Sequence, residues 1–259
     1  VETNIDEIAS KLLKAHQTKV PIDFIRNDYT LDEQTAYNVQ EQLVQKKCKL
    51  YHEEISGYKI SMTSRETQSL ANTNEPAYGT LTTNSLVKNK ATLSLSNLFD
   101  PLVEPELMFV LSEDLTIGAT EDEILSKCKI AAGLEIPDSR YKDWFPHFSL
   151  ADLLCDNGVV GHVVISELVR PPSINELETI KMDLYHNGKN IGEGVSNNVL
   201  GNPASAVAWL TKKLAERNIS LKKGMIISSG TFISPLRVEE GTYEATYHTI
   251  GNVTITFTE

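Results

Sequence analysis

Cysteine is scarce in this chain of 259 residues: Cys48, Cys128 and Cys155 lie far apart, with no CxxC pair. That spacing excludes a zinc ribbon and a disulfide framework, and three free thiols fit a reducing, cytoplasmic setting. Positive charge is also in deficit. The 24 Lys and Arg against 35 Asp and Glu leave a formal net charge of −11, which argues against nucleic acid or an anionic membrane as partner. No apolar run approaches the roughly 18 residues a membrane span needs. The opening Val1-Glu2-Thr3-Asn4-Ile5 lacks a basic region followed by an apolar block, so no signal peptide is expected. Familiar catalytic frames are missing too. The six histidines (His16, His52, His147, His162, His186 and His248) show no HExxH or paired-ligand spacing. Gly192-Glu193-Gly194 lacks a third glycine, and Ser228-Ser229-Gly230 lacks the G-x-S-x-G frame of a nucleophile elbow.

What is present is an ordinary apolar content of 41%, enough for a real core at this length. The spacing of Ile5, Ile8, Ala9, Leu12 and Leu13 predicts a first helix. Thr30-Leu31-Asp32-Glu33 reads as a capping box opening a second, with Ala36, Tyr37, Val39, Gln40, Leu43 and Val44 as its stripe. After Lys49 short β-type runs take over. Thr120 to Glu123 is a second capping box, predicting a short helix through Ile124, Leu125 and Cys128. The segment from Ile130 to Ile136 reads as a buried strand. Ile180 to Tyr185 alternates and is followed by an Asn187-Gly188 hairpin turn. Asn202-Pro203 caps a helix ending near Asn218. The expected class is α+β, a mixed β core with a helical N-terminal lobe: residues 1–50 as the lobe and 51–259 as a single β-rich catalytic core.

The most informative local feature is Glu104-Pro105-Glu106, inside the apolar run from Pro101 to Leu111, with a third acid at Glu135. On a strand, residues i and i+2 share a face. Glu104 and Glu106 therefore share theirs with Leu102, Met108 and Val110. Paired carboxylates on a half-apolar face repel one another and resist desolvation. A hard divalent cation is the simplest relief. The same spacing also fits a solvent-facing strand with two surface acids.

Several blocks, in shared order, resemble a known family. They are Gly57-Tyr58-Lys59-Ile60 with Thr63-Ser64-Arg65; Pro76-Ala77-Tyr78-Gly79, similar to a family turn; Val103 to Leu107; and Leu134 to Arg140. Asp143-Trp144, Asp156-Asn157, Ala206 to Leu210 and Leu221 to Thr231 follow. Together they resemble the 2-keto-4-pentenoate hydratase and 4-oxalocrotonate decarboxylase group of the fumarylacetoacetate hydrolase superfamily, over roughly residues 5 to 257. The resemblance implies a mixed β-sheet roll of the superfamily's C-terminal-domain type with peripheral helices. It implies Mg2+ or Mn2+ held by Glu104, Glu106 and Glu135, and a small 2-oxo or 2-hydroxydienoate acid from aromatic compound catabolism as substrate. Homo-oligomers, and complexes between homologous hydratases and decarboxylases, are implied as well. Lys59 and Glu106 are then the catalytic candidates, Lys59 as donor to a developing oxyanion or as a proton carrier if its pKa is lowered. Arg65, Arg140, Tyr78, Val159 and Val160 are the substrate-binding candidates. A solvated strand lysine explains Lys59, and structural salt bridges explain both arginines, without any resemblance.

Two departures stand out. The family turn usually carries Asp where this chain has Ala77, removing a proton-transfer candidate. Gly158-Val159-Val160 replaces small polar residues after Asp156-Asn157. The first expectation is thus a metal-dependent hydratase. An oxalocrotonate-type decarboxylase and a catalytically weak scaffold or partner subunit are the alternatives.

Overall fold

The computed structural model describes residues 2–259. Its helices are α1 (Glu2–Thr18), α2 (Glu33–Tyr51), α3 (Arg65–Leu70), α4 (Glu121–Ser126), α5 (Leu150–Cys155), α6 (Ile174–Leu177) and α7 (Pro203–Ala215). The strands are β1 (Ile55–Ser61), β2 (Ala77–Thr82), β3 (Leu86–Lys88), β4 (Thr92–Ser94), β5 (Leu102–Leu111), β6 (Cys128–Ile136) and β7 (His162–Ile165). They continue as β8 (Lys181–His186), β9 (Lys189–Val195), β10 (Ile226–Thr231), β11 (Leu236–Arg237), β12 (Gly241–Tyr247) and β13 (Gly251–Thr258).

One mixed sheet runs β2-β1-β10-β5-β6-β7-β3, with β11 also on β5, and a second runs β4-β13-β12-β8-β9. The β1–β10, β3–β7 and β4–β13 pairs are parallel. The sheets stack where Tyr247 of β12, fully buried, donates its hydroxyl to Gly133 O of β6 at 2.7 Å. The apolar stripe of α1 (Ile8, Ala9, Leu12) meets that of α2 (Ala36, Val39, Leu43) and joins the same core as the strands. Among the described residues, no helix is long and apolar enough to cross a membrane.

Local departures from the sequence expectations have simple causes. The cap of α2 is Asp32, whose carboxylate accepts Thr35 N–H at 2.8 Å, rather than Thr30. Asp is the stronger cap and lies next to the helix. Thr120 does cap α4, but that helix stops at Ser126 and Cys128 opens β6. The run from Pro76 to Gly79 is largely strand, since Ala77, Tyr78 and Gly79 pair along β1. Helix α7 ends at Ala215, before Asn218. Asn187 and Gly188 form the β8–β9 turn with positive φ values of 50° and 80°, as an Asn-Gly hairpin requires.

One irregularity positions the site. Opposite β5, strand β10 carries one extra residue between Ser228, which faces Met108, and Thr231, which faces Glu106. This bulge twists β10 and re-aims its backbone. Gly230 sits there at φ 128°, and a Cβ would come within 2.4 Å of Thr63 Oγ1. Glycine alone meets both demands. The bulge also makes room for Pro105 in a central strand, whose carbonyl accepts Phe232 N–H at 3.0 Å just past it.

Candidate metal centre and active-site cavity

Glu104 and Glu106 project from one face of β5, and Glu135 of β6 lies directly opposite Glu104 in the ladder. The pleat therefore delivers three carboxylates to one spot. One oxygen from each falls within 4.8 Å of the others, and among the described residues this is the one such cluster of His, Cys, Asp or Glu. Glu106 and Glu135 are each 1% exposed, and Glu104 is half-buried against the cavity. Glu106 Oε2 is anchored by the β10 bulge, accepting Ser228 Oγ at 2.5 Å and Gly230 N–H at 2.9 Å. Its Oε1 is buried with no hydrogen-bond partner, as is Glu135 Oε2. Glu135 Oε1 lies 2.8 Å from Lys59 Nζ but makes no hydrogen bond of good geometry. Buried carboxylate oxygens without donors are costly and call for a ligand. An all-oxygen donor set with excess negative charge fits Mg2+ or Mn2+.

Electrostatics agree. Burial, then repulsion from Glu135, hold the carboxyls of Glu104 and Glu106 well above the ordinary range; for Glu106 the Ser228 and Gly230 donors work against the shift. Lys59 is 1% exposed on β1. Burial alone would lower its pKa, but attraction to Glu135, Glu104 and Glu106 outweighs burial and raises it. The lowered pKa that a proton-carrying Lys59 would need is not found; with these neighbours the side chain is held as an ammonium. It also donates to Ser61 Oγ at 2.7 Å.

A pH dependence follows. Raised carboxyl pKa values mean that the metal-free fold binds protons there more tightly than the unfolded chain does. Ionising these groups as pH rises above about 4.5 therefore costs stability. A bound divalent cation replaces the protons. The increase in Tm on adding saturating Mn2+ is expected to grow between about pH 5 and pH 8 and to shrink toward pH 4.5. Thermal unfolding with and without Mn2+ across that range checks it; an increment independent of pH would contradict it.

The cluster opens on a cavity of about 470 Å³, counting its mouth, whose lining includes Lys59, Ser61, Glu104 and Glu106 together with Val159. The remaining expected residues are not brought together there. Arg140 is buried, but its Nε binds Asp156 Oδ1 at 2.5 Å and its two amino groups donate to Val160 O and Asp156 O at 2.9 and 2.6 Å. Asp156 is fully buried and needs that counter-charge. Arg140 and Val160 line a separate cleft. Tyr78 points the other way, stacking on Tyr37 at 4.5 Å and lining clefts by α2. Arg65 is exposed at the first turn of α3.

Other cavity residues escaped the sequence reading. Trp144, Phe145 and Phe148, an aromatic run whose sequence fits a pocket cap or a satellite hydrophobic cluster, line the cavity. Ser61 stands two residues from Lys59 on one strand, and alternation alone would have found it. Ser228 and Gly230 reach Glu106 across a bulge, which leaves no local signal. Ala77 is buried directly opposite Ser61 in the β1–β2 ladder, and so faces the same side.

No family model matches the chain. It is 30% identical to the 2-hydroxyhexa-2,4-dienoate hydratase of Comamonas testosteroni over 95% of this chain and 94% of that protein. It is 29% identical to the 2-oxo-hept-4-ene-1,7-dioate hydratase of Escherichia coli, over 96% of each. Identity to a 4-oxalocrotonate decarboxylase of a Pseudomonas species is 25% over 92% of this chain and 91% of that protein. Among solved structures, 4-oxalocrotonate decarboxylase from Pseudomonas putida G7, complexed with magnesium and adipate, superposes with a TM-score of 0.91 over 100% of this chain and 98% of that one, at 24% identity. Fumarylpyruvate hydrolase from Pseudomonas aeruginosa, in complex with Mn2+ and pyruvate, gives 0.58 over 77% and 88%, at 12% identity. Likeness over nearly the full length of both sequences means that the chain belongs to the 2-keto-4-pentenoate hydratase and 4-oxalocrotonate decarboxylase family of lyases, on a fold of the fumarylacetoacetate hydrolase type.

Proposed function

We propose that the protein is a metal-dependent hydratase that adds water to a short 2-hydroxydienoate or its 2-oxoenoate tautomer, such as 2-hydroxypenta-2,4-dienoate. The observation that carries this reading is the trio of carboxylates with unpartnered buried oxygens, set in a cavity whose one lining cation is Lys59. Glu104, Glu106 and Glu135 would hold Mg2+ or Mn2+. When bound, that ion supplies Lewis-acid stabilisation of the negative charge that develops on the C2 oxygen.

The chain's own residues do the rest. The Lys59 ammonium is aimed by Glu135 and Ser61, so it can donate to the C2 oxygen and return a proton during tautomerisation. Ser61 Oγ accepts from Lys59, which leaves its own hydroxyl hydrogen free to hold the attacking water or the substrate. The aromatic rings and Val159 keep bulk water from the reacting carbons.

Decarboxylation of an oxalocrotonate-type acid is the second reading, and Ala77 is the observation in its favour. Its methyl group faces Ser61, where a carboxylate would stand beside Lys59 to move protons. Incubation of the Mn2+-loaded protein with dienoates separates the readings. Loss of diene absorbance without CO2 supports hydration, and CO2 release supports decarboxylation. No turnover, with metal bound, supports a scaffold or partner subunit. Ala77→Asp is expected to raise hydratase turnover by about a hundredfold, the low end of what a positioned acid–base group contributes. Unchanged turnover with fold and Mn2+ binding intact would mean that position 77 is not the missing proton carrier.

A further inference from the structure

The apolar part of the cavity lining has a composition that bears on the substrate's far end. Trp144, Phe145 and Phe148 form one aromatic cluster, with centroid separations of 5.6, 6.0 and 6.5 Å. Trp144 spends its Nε1–H on Asp100 O at 2.8 Å and presents only carbon to the cavity. Leu70, Leu153 and Val159 complete this wall. The hydroxyl groups in the lining do not serve it. Thr67 donates to Ser64 O and Thr231 to Ile233 O, at 3.1 and 2.6 Å. Ser61 is on Lys59, and Thr63 packs against Gly230, whose N–H holds Glu106. Free donors are therefore few in the lining and belong to residues tied to the carboxylate cluster, Lys59 and Ser61 above all.

Cations are absent from the apolar lining as well. Lys59 is the one Lys, Arg or His among the residues lining the cavity, and it is tied to Glu135. Arg140 is consumed by Asp156. Arg237 approaches from outside, where it pairs with Asp100 and donates to Phe145 O at 2.7 Å.

We infer that this site takes a monocarboxylate whose far end is an uncharged alkyl or alkenyl tail, and that it discriminates against a second carboxylate there. The inference rests on the cavity being the site of a 2-oxo acid. One carboxylate and the 2-oxo group account for the polar end. A second carboxylate would be desolvated against aromatic carbon with no donor to receive it, whereas a methyl or ethyl group gains from burial.

Two saturated 2-oxo acids of equal carbon number isolate the difference: 2-oxohexanoate and 2-oxoadipate, titrated by calorimetry into the Mn2+-loaded protein. Binding is read without turnover. The expected Kd for 2-oxohexanoate is lower by about 30-fold or more. Leu70→Arg, at a residue 37% exposed and so tolerant of a larger polar side chain, is expected to tighten 2-oxoadipate by about tenfold while the fold persists. Equal binding, or tighter binding of 2-oxoadipate to the parent, overturns the inference and leaves the oxo-acid reading standing. The expected order of affinities without turnover of any dienoate upholds the inference and removes the hydratase reading. Binding of neither acid removes both.

Discussion

Glu106→Gln is expected to weaken Mn2+ binding by about a hundredfold or more, while making the metal-free protein more stable at neutral pH. Loss of a ligand costs at least as much as loss of an outer-shell partner, which is typically 10- to 100-fold. The amide oxygen can replace Oε2 and keep the donors from Ser228 Oγ and Gly230 N–H, so the bulge of β10 is undisturbed. The amide nitrogen then occupies the place of Oε1, which has no hydrogen-bond partner and is the atom free to meet a cation. Stability moves the other way because the carboxyl of Glu106 is held well above its ordinary pKa by burial and by Glu135. Every unit of such a rise costs about 1.4 kcal/mol once pH exceeds it, and the neutral amide removes that cost. Calorimetric Mn2+ titrations, with and without oxalate as a mimic of the 2-oxo acid head, check the first half beside the parent protein. Oxalate is expected to strengthen Mn2+ binding to the parent. Urea unfolding of the metal-free proteins checks the second half. Mn2+ affinity within about threefold of the parent would remove Glu106 from the metal centre.

Lys59→Met is expected to do the opposite to stability and to abolish turnover. The ammonium is buried 2.8 Å from Glu135 Oε1 and is the one Lys, Arg or His among the residues lining the cavity. Removing one partner of a buried pair strands the other, at a typical cost of about 3–5 kcal/mol. For a chain of this length that lowers Tm by roughly 10 °C. Saturating Mn2+ is expected to recover most of the loss, because the cation compensates the charge that Lys59 had offset. Turnover is expected to stay down by about 10²- to 10⁴-fold even when metal is bound, the usual worth of a positioned proton donor. That divergence between rescued stability and unrescued rate separates a catalytic Lys59 from a structural one. Full recovery of rate with Mn2+ would assign it a purely structural part.

The contrast between these two substitutions shows how the site divides between chain and fold. The Glu104-Pro105-Glu106 spacing was legible because strand alternation is a local rule: residues two apart share a face whatever surrounds them. The helices of α1, α2 and α7 and the Asn187-Gly188 turn were legible for the same reason, through periodicity, caps and turn chemistry. Even there a choice between neighbouring caps, Asp32 over Thr30, was settled by which oxygen could reach Thr35 N–H. The order of short blocks along the chain was enough to mark the family, since seven or eight weak matches in sequence carry more information than any one of them.

Tertiary structure decided the rest. Glu135 joins the two acids because β6 is in register with β5, which places it across from Glu104, some 30 residues away in the chain. Arg140 follows Glu135 by five residues in the same sequence block, yet its guanidinium turns to Asp156 because a buried carboxylate draws the nearest available counter-charge. Tyr78 lies beside the expected proton carrier at position 77 but faces α2, since neighbours on a strand point to opposite sides. Trp144, Phe145 and Phe148 join the cavity lining only because the fold brings the loop after β6 to the same cavity as Lys59, Glu104 and Glu106. Local rules of the backbone, acting over two to four residues, determined from the sequence alone which side chains share a face. Strand register, the β10 bulge and competition among buried charges act across the whole chain, and only the folded structure could decide which of those faces meet around the cavity.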